Sequence, residues 1–570
     1  MTLDAKDASS ANAALTPDWE GSFVADDVRQ SALGAGAGIS PVAMSSRDAR
    51  DAELAAAGEG DEMNGAQDEG LSASSLAKWE GEKKCCNALR FEGVPEAQGY
   101  ALCTFARGGI VMSNIFLSTA LISIASISAG CTDMEAGETC QESVYGFKPS
   151  SLITNIALVS GLISAFCLPV IGAIVDYTPY RRLVGIFSAV FITVVQGVQI
   201  WLTDSTWFPM AILQAINGFM YMVQVLAVYA YLPDLGRLVG PRKMAWYSAL
   251  YTMCQFGAQA TYLLLNVALS LALGWGGQDV RNAQLSQGIC VAWLLLSFIP
   301  GWRKLPRVNA LRSRPANKGL VRIGFSQVWH TILGINRHYG SGLRWYFLAV
   351  VFAESGANAF TVVSVTFMME VLGMNGTEVA IVFLITLIAS IPGSKLGQYI
   401  AKRTDPIVSW KINLIVFSAI TIVGSFVLTG PSMKNVCYIF GVLWGIMLGW
   451  FYPLENVTFT LLVPKGQESE LSGFYTYCRS ILTWLPPLIF TVMNESGLHM
   501  KWGLISLVIF LMVGCGFLQV MAPWEEALEV AKGPNKMTRA FSEVNKDMSD
   551  DVVKQQGSVV SPECYPECEA

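Results

Sequence analysis

Glu354 lies about ten residues into an apolar run that opens near position 345, with Asn358 one helical turn on and Thr361 beyond it. On a helix the three share one face. A carboxyl group inside a bilayer costs a few kcal/mol by insertion scales, so its presence there is a signal of function. Held away from water, it takes up or releases a proton as its surroundings change, and proton coupling needs such a group. The structural alternative is an ion pair that locks two helices together. Arg107 and Arg479 are the candidate partners, each roughly two turns inside its own apolar run, from where a long side chain can also snorkel to water. Asp234, Lys395 and Glu455 sit closer to segment ends. They read as gate contacts or as groups that reach water.

Uncharged polar residues form a second pattern. Gln214, Asn217, Tyr221 and Gln224 recur at spacings of three, four and three, and Gln255, Gln259, Tyr262 and Asn266 at four, three and four; Asn114 and Ser118 add one further turn. Each set occupies one helical face, which lipid forces inward. Any single amide is explained by a hydrogen bond between helices, whereas three coincident stripes suggest a solvated path. Amides donate and accept without fixed charge, which suits a small neutral or zwitterionic solute. Other chemistry is missing. The three histidines, His330, His338 and His499, lie outside the deep parts of apolar runs, so no metal site is expected. No phosphate-binding Gly-x-x-x-x-Gly-Lys-Ser/Thr loop occurs, so ATP is not expected to drive the protein directly. No cofactor, enzyme activity or nucleic-acid partner is expected.

The elements that must hold these residues are membrane helices. Of 570 residues, 52% are hydrophobic and 14% charged, against roughly 25% charged in a soluble domain. Such a chain cannot cover a water-facing surface of its size. The charge is segregated: residues 1–99 carry a net −10, residues 524–570 a net −5, and the stretch between them +9. Both tails read as disordered and acidic, apart from an amphipathic start at 524–530. The first is neither a signal nor a transit peptide. Between them stand twelve segments near the ~20 residues that cross a bilayer: 101–127, 150–175, 183–203, 207–232, 244–272, 284–302, 345–369, 377–400, 412–430, 435–458, 473–493 and 500–522. Without water, these must be helices.

With both termini in the cytosol, cytosolic loops hold 18 Lys and Arg and the opposite loops four, as the positive-inside rule requires. Cys131 and Cys140 then share a non-cytosolic loop where a disulfide can persist. The sequons at Asn375 and Asn494 face the same side as glycosylation candidates. Cys85-Cys86, beside Lys83-Lys84, is a palmitoylation candidate. The stretch 303–344, with nine bases and no acid, separates six segments from six. Within it Val321, Phe325, Val328, Trp329, Ile332 and Leu333 fall on one helical face. That face suits an interfacial helix on anionic cytosolic lipid, the alternative being a solvated linker.

The two sets of six repeat one another. Ser248-Ala-Leu-Tyr251-Thr252-Met-Cys254 matches Ser472-Gly-Phe-Tyr475-Thr476-Tyr-Cys478 at an offset of 224, and Pro169 matches Pro392 at 223. Duplication of this kind builds the major facilitator fold. Gly172-Ala-Ile-Val-Asp176-Tyr-Thr-Pro-Tyr-Arg181-Arg182 resembles the conserved loop of that superfamily. Leu462-Val-Pro464-Lys465-Gly466-Gln-Glu468-Ser-Glu470-Leu471-Ser472-Gly473-Phe-Tyr475 resembles the Leu-Ile-Pro-Lys-Gly-x-Glu-x-x-Phe-Phe-Gly-x-Tyr signature of the autophagy-related vacuolar amino-acid effluxers, with Leu471-Ser472 in place of Phe-Phe. Gly99-Tyr100-Ala-Leu is also similar to that family.

The expected architecture is therefore an all-α, twelve-helix major facilitator. It comprises an acidic tail (1–99), a six-helix bundle (100–302), a basic linker (303–344), a second bundle (345–523) and a second tail (524–570). The resemblance implies export of neutral amino acids from a vacuole or lysosome rather than across the plasma membrane. The expected protein is a monomeric secondary transporter with alternating access. Its candidate site comprises Glu354, Asn358, Arg107, Asn114, Asn217, Gln224, Gln255, Gln259 and Arg479. Asp176, Arg181, Arg182, Lys402 and Arg403 would bridge the bundles on the cytosolic face. The rival readings are a transporter-like solute receptor and a lipid scramblase.

Overall fold

The computed structural model describes residues 91–131, 140–239, 241–310, 319–338, 340–463 and 468–532. The acidic stretches 1–90 and 533–570, the Cys85-Cys86 pair and residues 464–467 of the effluxer-like signature lie outside them. Among the described residues there is no strand, only an isolated bridge between Val144 and Phe147. The helices are α1 (Pro95–Ser128), α2 (Leu152–Tyr177), α3 (Arg181–Val198), α4 (Trp207–Tyr229), the short α5 (Leu232–Val239), α6 (Pro241–Ala272) and α7 (Asp279–Lys304). After the basic stretch come α8 (Leu320–His338), α9 (Gly340–Glu370), α10 (Gly376–Arg403), α11 (Pro406–Val427) and α12 (Lys434–Leu462). The chain closes with α13 (Glu468–Ile481), α14 (Leu485–Glu495), α15 (Met500–Val520) and α16 (Trp524–Lys532).

Among the described residues, ten helices are long and apolar enough to cross a membrane. The surface is apolar where a water-soluble protein's would be polar: Leu296, Phe166, Phe187, Ile391, Ile439 and Ile509 are all exposed. In water such a surface would aggregate; in lipid it costs nothing. The remaining expected segments differ in form. Residues 244–272 lie in the 32-residue α6, which carries one of the amide stripes. Residues 473–493 are divided between α13 and α14. Pro486 and Pro487 occupy the first turn of α14. Their missing N–H groups and ring bulk forbid a continuous helix through this point.

Small residues set the closest helix contacts, as packing in lipid favours. Gly441, Gly445 and Gly449 recur every four residues along α12 and lie against α10. A Cβ on Gly449 would stand 2.0 Å from the Ser390 carbonyl oxygen, and one on Gly445 2.4 Å from that of Thr386. In the first set of helices, a Cβ on Gly99 of α1 would stand 2.9 Å from the Gly301 carbonyl oxygen of α7. The two sets meet at the α13–α14 break, where the Trp484 backbone nitrogen would lie 3.0 Å from a Cβ on Gly161 of α2. The basic stretch contains α8, with Val321, Phe325, Trp329 and Ile332 exposed on one side and Ile323, Thr331 and Ile335 buried on the other. Gly324 brings it against the Pro169 carbonyl of α2.

Candidate solute and proton site

Helix α9 carries Glu354 into the interior, where it is 2% exposed. Its partner is Arg479 of α13. The guanidinium donates from Nε to Glu354 Oε1 at 2.8 Å and also from Nη2 to the same oxygen. The second acid on this guanidinium is Glu455 of α12, whose Oε1 lies 3.6 Å from Arg479 Nε. Tyr475, one turn before Arg479, donates its hydroxyl to Glu455 Oε1 at 2.8 Å. Tyr346 of α9 donates to the Glu455 carbonyl oxygen at 2.8 Å. One arginine therefore holds together two carboxyl groups from two other helices.

Two features set this cluster apart from a simple ion pair. Oε2 of Glu354 and Oε2 of Glu455 are both buried without a hydrogen-bond partner. Two carboxylates against one guanidinium also leave one negative charge in excess, a costly arrangement away from water unless a proton joins them. Arg479 itself keeps a quarter of its side-chain surface exposed, although its helix packs against α9 and α2. The arginine is thus the part of the cluster that reaches the surface of the packed helices. Tyr221 and Tyr229 of α4, in the first set of helices, are within electrostatic reach of Arg479.

The position of Glu455 is a correction. From the sequence it falls close to a segment end, because the tenth apolar run stops at 458. In the structure α12 continues to Leu462, and Glu455 is fully buried on the same face as Phe451, Thr458 and Leu462. That spacing of four back, three on and seven on was the available signal. Tyr475 and Tyr346 were missed because a tyrosine in an apolar run looks like packing until its hydroxyl partner is known.

The sequence pattern of the family described as "Vacuole effluxer Atg22 like" matches residues 93–531. The chain belongs to that family. It is 18% identical over 289 residues to Autophagy-related protein 22 of Cryptococcus neoformans var. neoformans serotype D (strain B-3501A), covering 49% of this chain and 52% of the relative. It is 22% identical over 255 residues to the uncharacterized MFS-type transporter YxiO of Bacillus subtilis (strain 168), covering 45% and 57%. The chain thus spans about half the length of the curated relatives it matches. Among solved structures it is similar to the inward open conformation of the E. coli xylose transporter XylE, with a TM-score of 0.52, 12% identity, and coverage of 76% of this chain and 98% of the other. The Atg22-like chain is thus a multi-pass membrane protein with the major facilitator fold.

The remaining candidates of this Atg22-like chain divide by what they touch. Arg107 of α1 is buried, donates from Nη2 to Thr104 Oγ1 at 3.0 Å, and stands 5.2 Å from the Tyr229 ring centre. The α4 stripe is split. Gln214 accepts from Gln199 and Gln224 accepts from Ser188, both within the first set of helices, while the Oδ1 atoms of Asn217 and Asn114 are buried without partners. Gln259 is buried; Gln255, Asn358 and Asn114 are half-buried. In α6, Tyr262 donates to the Ser286 carbonyl of α7.

At the basic end, Arg181 pairs with Asp234 at 2.7 Å and Arg182 donates to the Trp302 carbonyl oxygen, both inside the first set of helices. Asp176 accepts from Gln327 of α8. Lys402 and Arg403 are exposed, and Arg403 lies over the Tyr399 ring of its own helix. Arg181, Arg182 and Arg403 thus make the contacts described here within their own sets of helices. The opposite end is fastened. Asn494 Nδ2 donates to Ser150 Oγ and Ser151 Oγ, each at 2.7 Å. The Thr154 and Thr491 hydroxyls meet at 2.8 Å, and Asp279 Oδ1 accepts from Gly376 N at 2.8 Å. Cys131 and Cys140, at this same end, are joined as a disulfide. The two sequon asparagines are engaged here. Asn494 is buried in the fastening, and Asn375 caps α10 by accepting from Glu378 N. A glycosylated Asn494 amide would not fit this position.

Proposed function

We propose that this protein is a secondary transporter that moves a small neutral or zwitterionic solute, amino acids foremost, from a vacuolar or lysosomal lumen to the cytosol by alternating access, together with a proton. The observation that carries the reading is the cluster of Glu354, Glu455 and Arg479, drawn from three helices of a transporter fold. A proton entering the cluster lets the two carboxyl groups share it and neutralises the excess charge. Its departure restores repulsion between them and favours a different packing of α9, α12 and α13. The fastened end, with the disulfide and few basic residues, is read as luminal, and the basic end as cytosolic with both termini. The vacuolar assignment is supported by the family description, and the amino-acid assignment by the resemblance of the 462–475 signature to the amino-acid effluxers. α8 would rest its exposed apolar side on the cytosolic leaflet, where nearby bases favour anionic lipid.

Flux in proteoliposomes tests the reading and separates it from its rivals, since a receptor binds without moving solute and a scramblase moves lipid instead. Glu354→Gln is expected to abolish uptake driven by a pH gradient while solute exchange at equal pH continues. Gradient-driven uptake at the full rate in this variant would show that the coupling role is wrong.

A further inference from the structure

Arg107 is the buried charge left over when Glu354 pairs with Arg479. It is 3% exposed, and among the described residues no carboxylate forms an ion pair with it. Thr104, Tyr229, Tyr100 and Tyr221 surround it, none of them an acid. Its Nε is buried with no hydrogen-bond partner. A guanidinium in this setting presents donors in a planar fork that matches a carboxylate.

The helix contacts beside Arg107 and Glu354 give an independent reason to compare the two positions. Gly109 of α1 faces Trp293 of α7, and Gly356 of α9 faces Phe510 and Leu507 of α15. Each glycine marks the crossing of the first and last long helix of its set. Arg107 and Glu354 each stand two residues before it, a cation in the first set of helices and an acid in the second. Tyr221 and Tyr229 are within electrostatic reach of both Arg107 and Arg479. When the two carboxyl groups share a proton, Arg479 balances the remaining negative charge and Arg107 is left uncompensated.

We propose that Arg107 binds the carboxylate of the transported solute, so that the substrates are carboxylate-bearing small molecules, zwitterionic amino acids among them. The inference rests on the transporter reading above. The incoming carboxylate supplies the missing partner of Nε and the counter-ion that the tyrosines cannot, and Tyr229, half-buried over the guanidinium, is the ring that must yield to admit it.

The test uses the full chain in nanodiscs and four probes of matched shape: L-leucine, 4-methylpentanoate, L-leucinamide and 3-methylbutylamine. Binding of the first two is expected, with the amide and the amine weaker by about tenfold or more. Arg107→Gln should weaken leucine and 4-methylpentanoate by a similar factor and erase the preference for an acid. Arg107→Lys, which keeps the charge but not the fork, should bind more weakly than wild type and keep the preference; this variant decides the matter where Arg107→Gln fails to fold. Equal binding of amide and acid by the wild type, or unchanged acid binding in either variant, overturns the assignment and leaves the transporter reading intact if leucine flux persists. Binding of none of the four by the wild type likewise overturns the assignment, and the transporter reading then stands or falls by solute flux in proteoliposomes.

Discussion

At the scale of single residues, the chemistry turns on how two acids share one base. Removing one partner of a buried ion pair costs about 3–5 kcal/mol when the other is left uncompensated. Here either glutamate can be lost and Arg479 still keeps a carboxylate. Substitution at Glu455 should therefore spare folding and act on coupling. Glu455→Gln is expected to lower gradient-driven uptake at least about tenfold, to the level of Glu354→Gln, and the double variant no further, because groups that act as a unit are not additive. Proteoliposome uptake across a series of imposed pH gradients makes the comparison. A Glu455→Gln protein with wild-type uptake would leave Glu354 as the sole coupling group. Removal of Arg479 is a different case, since it strands two buried acids, and Arg479→Gln should lower the yield of folded protein.

The helices are positioned by what they lack as much as by what they carry. The α10–α12 contact depends on glycines at positions where a methyl group would enter a facing backbone. Gly449→Val should destabilise the protein by at least about 1–3 kcal/mol, the usual cost of overpacking, and lower its Tm in detergent. Gly473→Ala, where nothing lies within 4 Å of the new Cβ, should leave Tm nearly unchanged. Equal effects from the two would show that the close crossing does not limit stability. The break at Pro486-Pro487 belongs to the same scale. It sets Trp484 against Gly161 and ends α13 half a turn after Arg479. The sequence contained the prolines, but read as one apolar run they were absorbed into a single span. Position Glu455 was misplaced for a related reason, since apolar runs mark where lipid begins and not where a helix ends.

For the molecule as a whole, the question is which end is open. Inter-bundle hydrogen bonds gather at the disulfide end, while Arg181, Arg182 and Arg403 at the basic end make their described contacts within their own sets of helices. This asymmetry predicts a latch. Asn494→Ala combined with Thr377→Ala removes two donors to Ser150 and Ser151 and the acceptor that Thr377 offers Asn282. At about 1 kcal/mol for each net hydrogen bond, a two-state equilibrium should move by roughly tenfold or more. Spin labels at the exposed positions Tyr145 and Leu498 report the separation at that end. A longer-distance population should grow in the double variant, and an unchanged distribution would argue against the latch.

By itself the sequence determined that this is a polytopic membrane protein built from a duplicated unit, with acidic tails, a basic stretch between two sets of helices, and an acid at 354 that lipid alone cannot explain. Hydropathy, loop charge and local motifs decide such matters, because the bilayer acts on each segment separately. The tertiary structure decided between Arg107 and Arg479 as the partner of Glu354, brought Glu455 into the same cluster, and assigned Gln214 and Gln224 to neighbouring helices. Those choices depend on the rotation and crossing of helices far apart in the chain, 125 residues in the case of Glu354 and Arg479. No local pattern encodes them. The sequence could show that one buried acid and two arginines had to be reconciled; only packing shows which arginine is left unpaired.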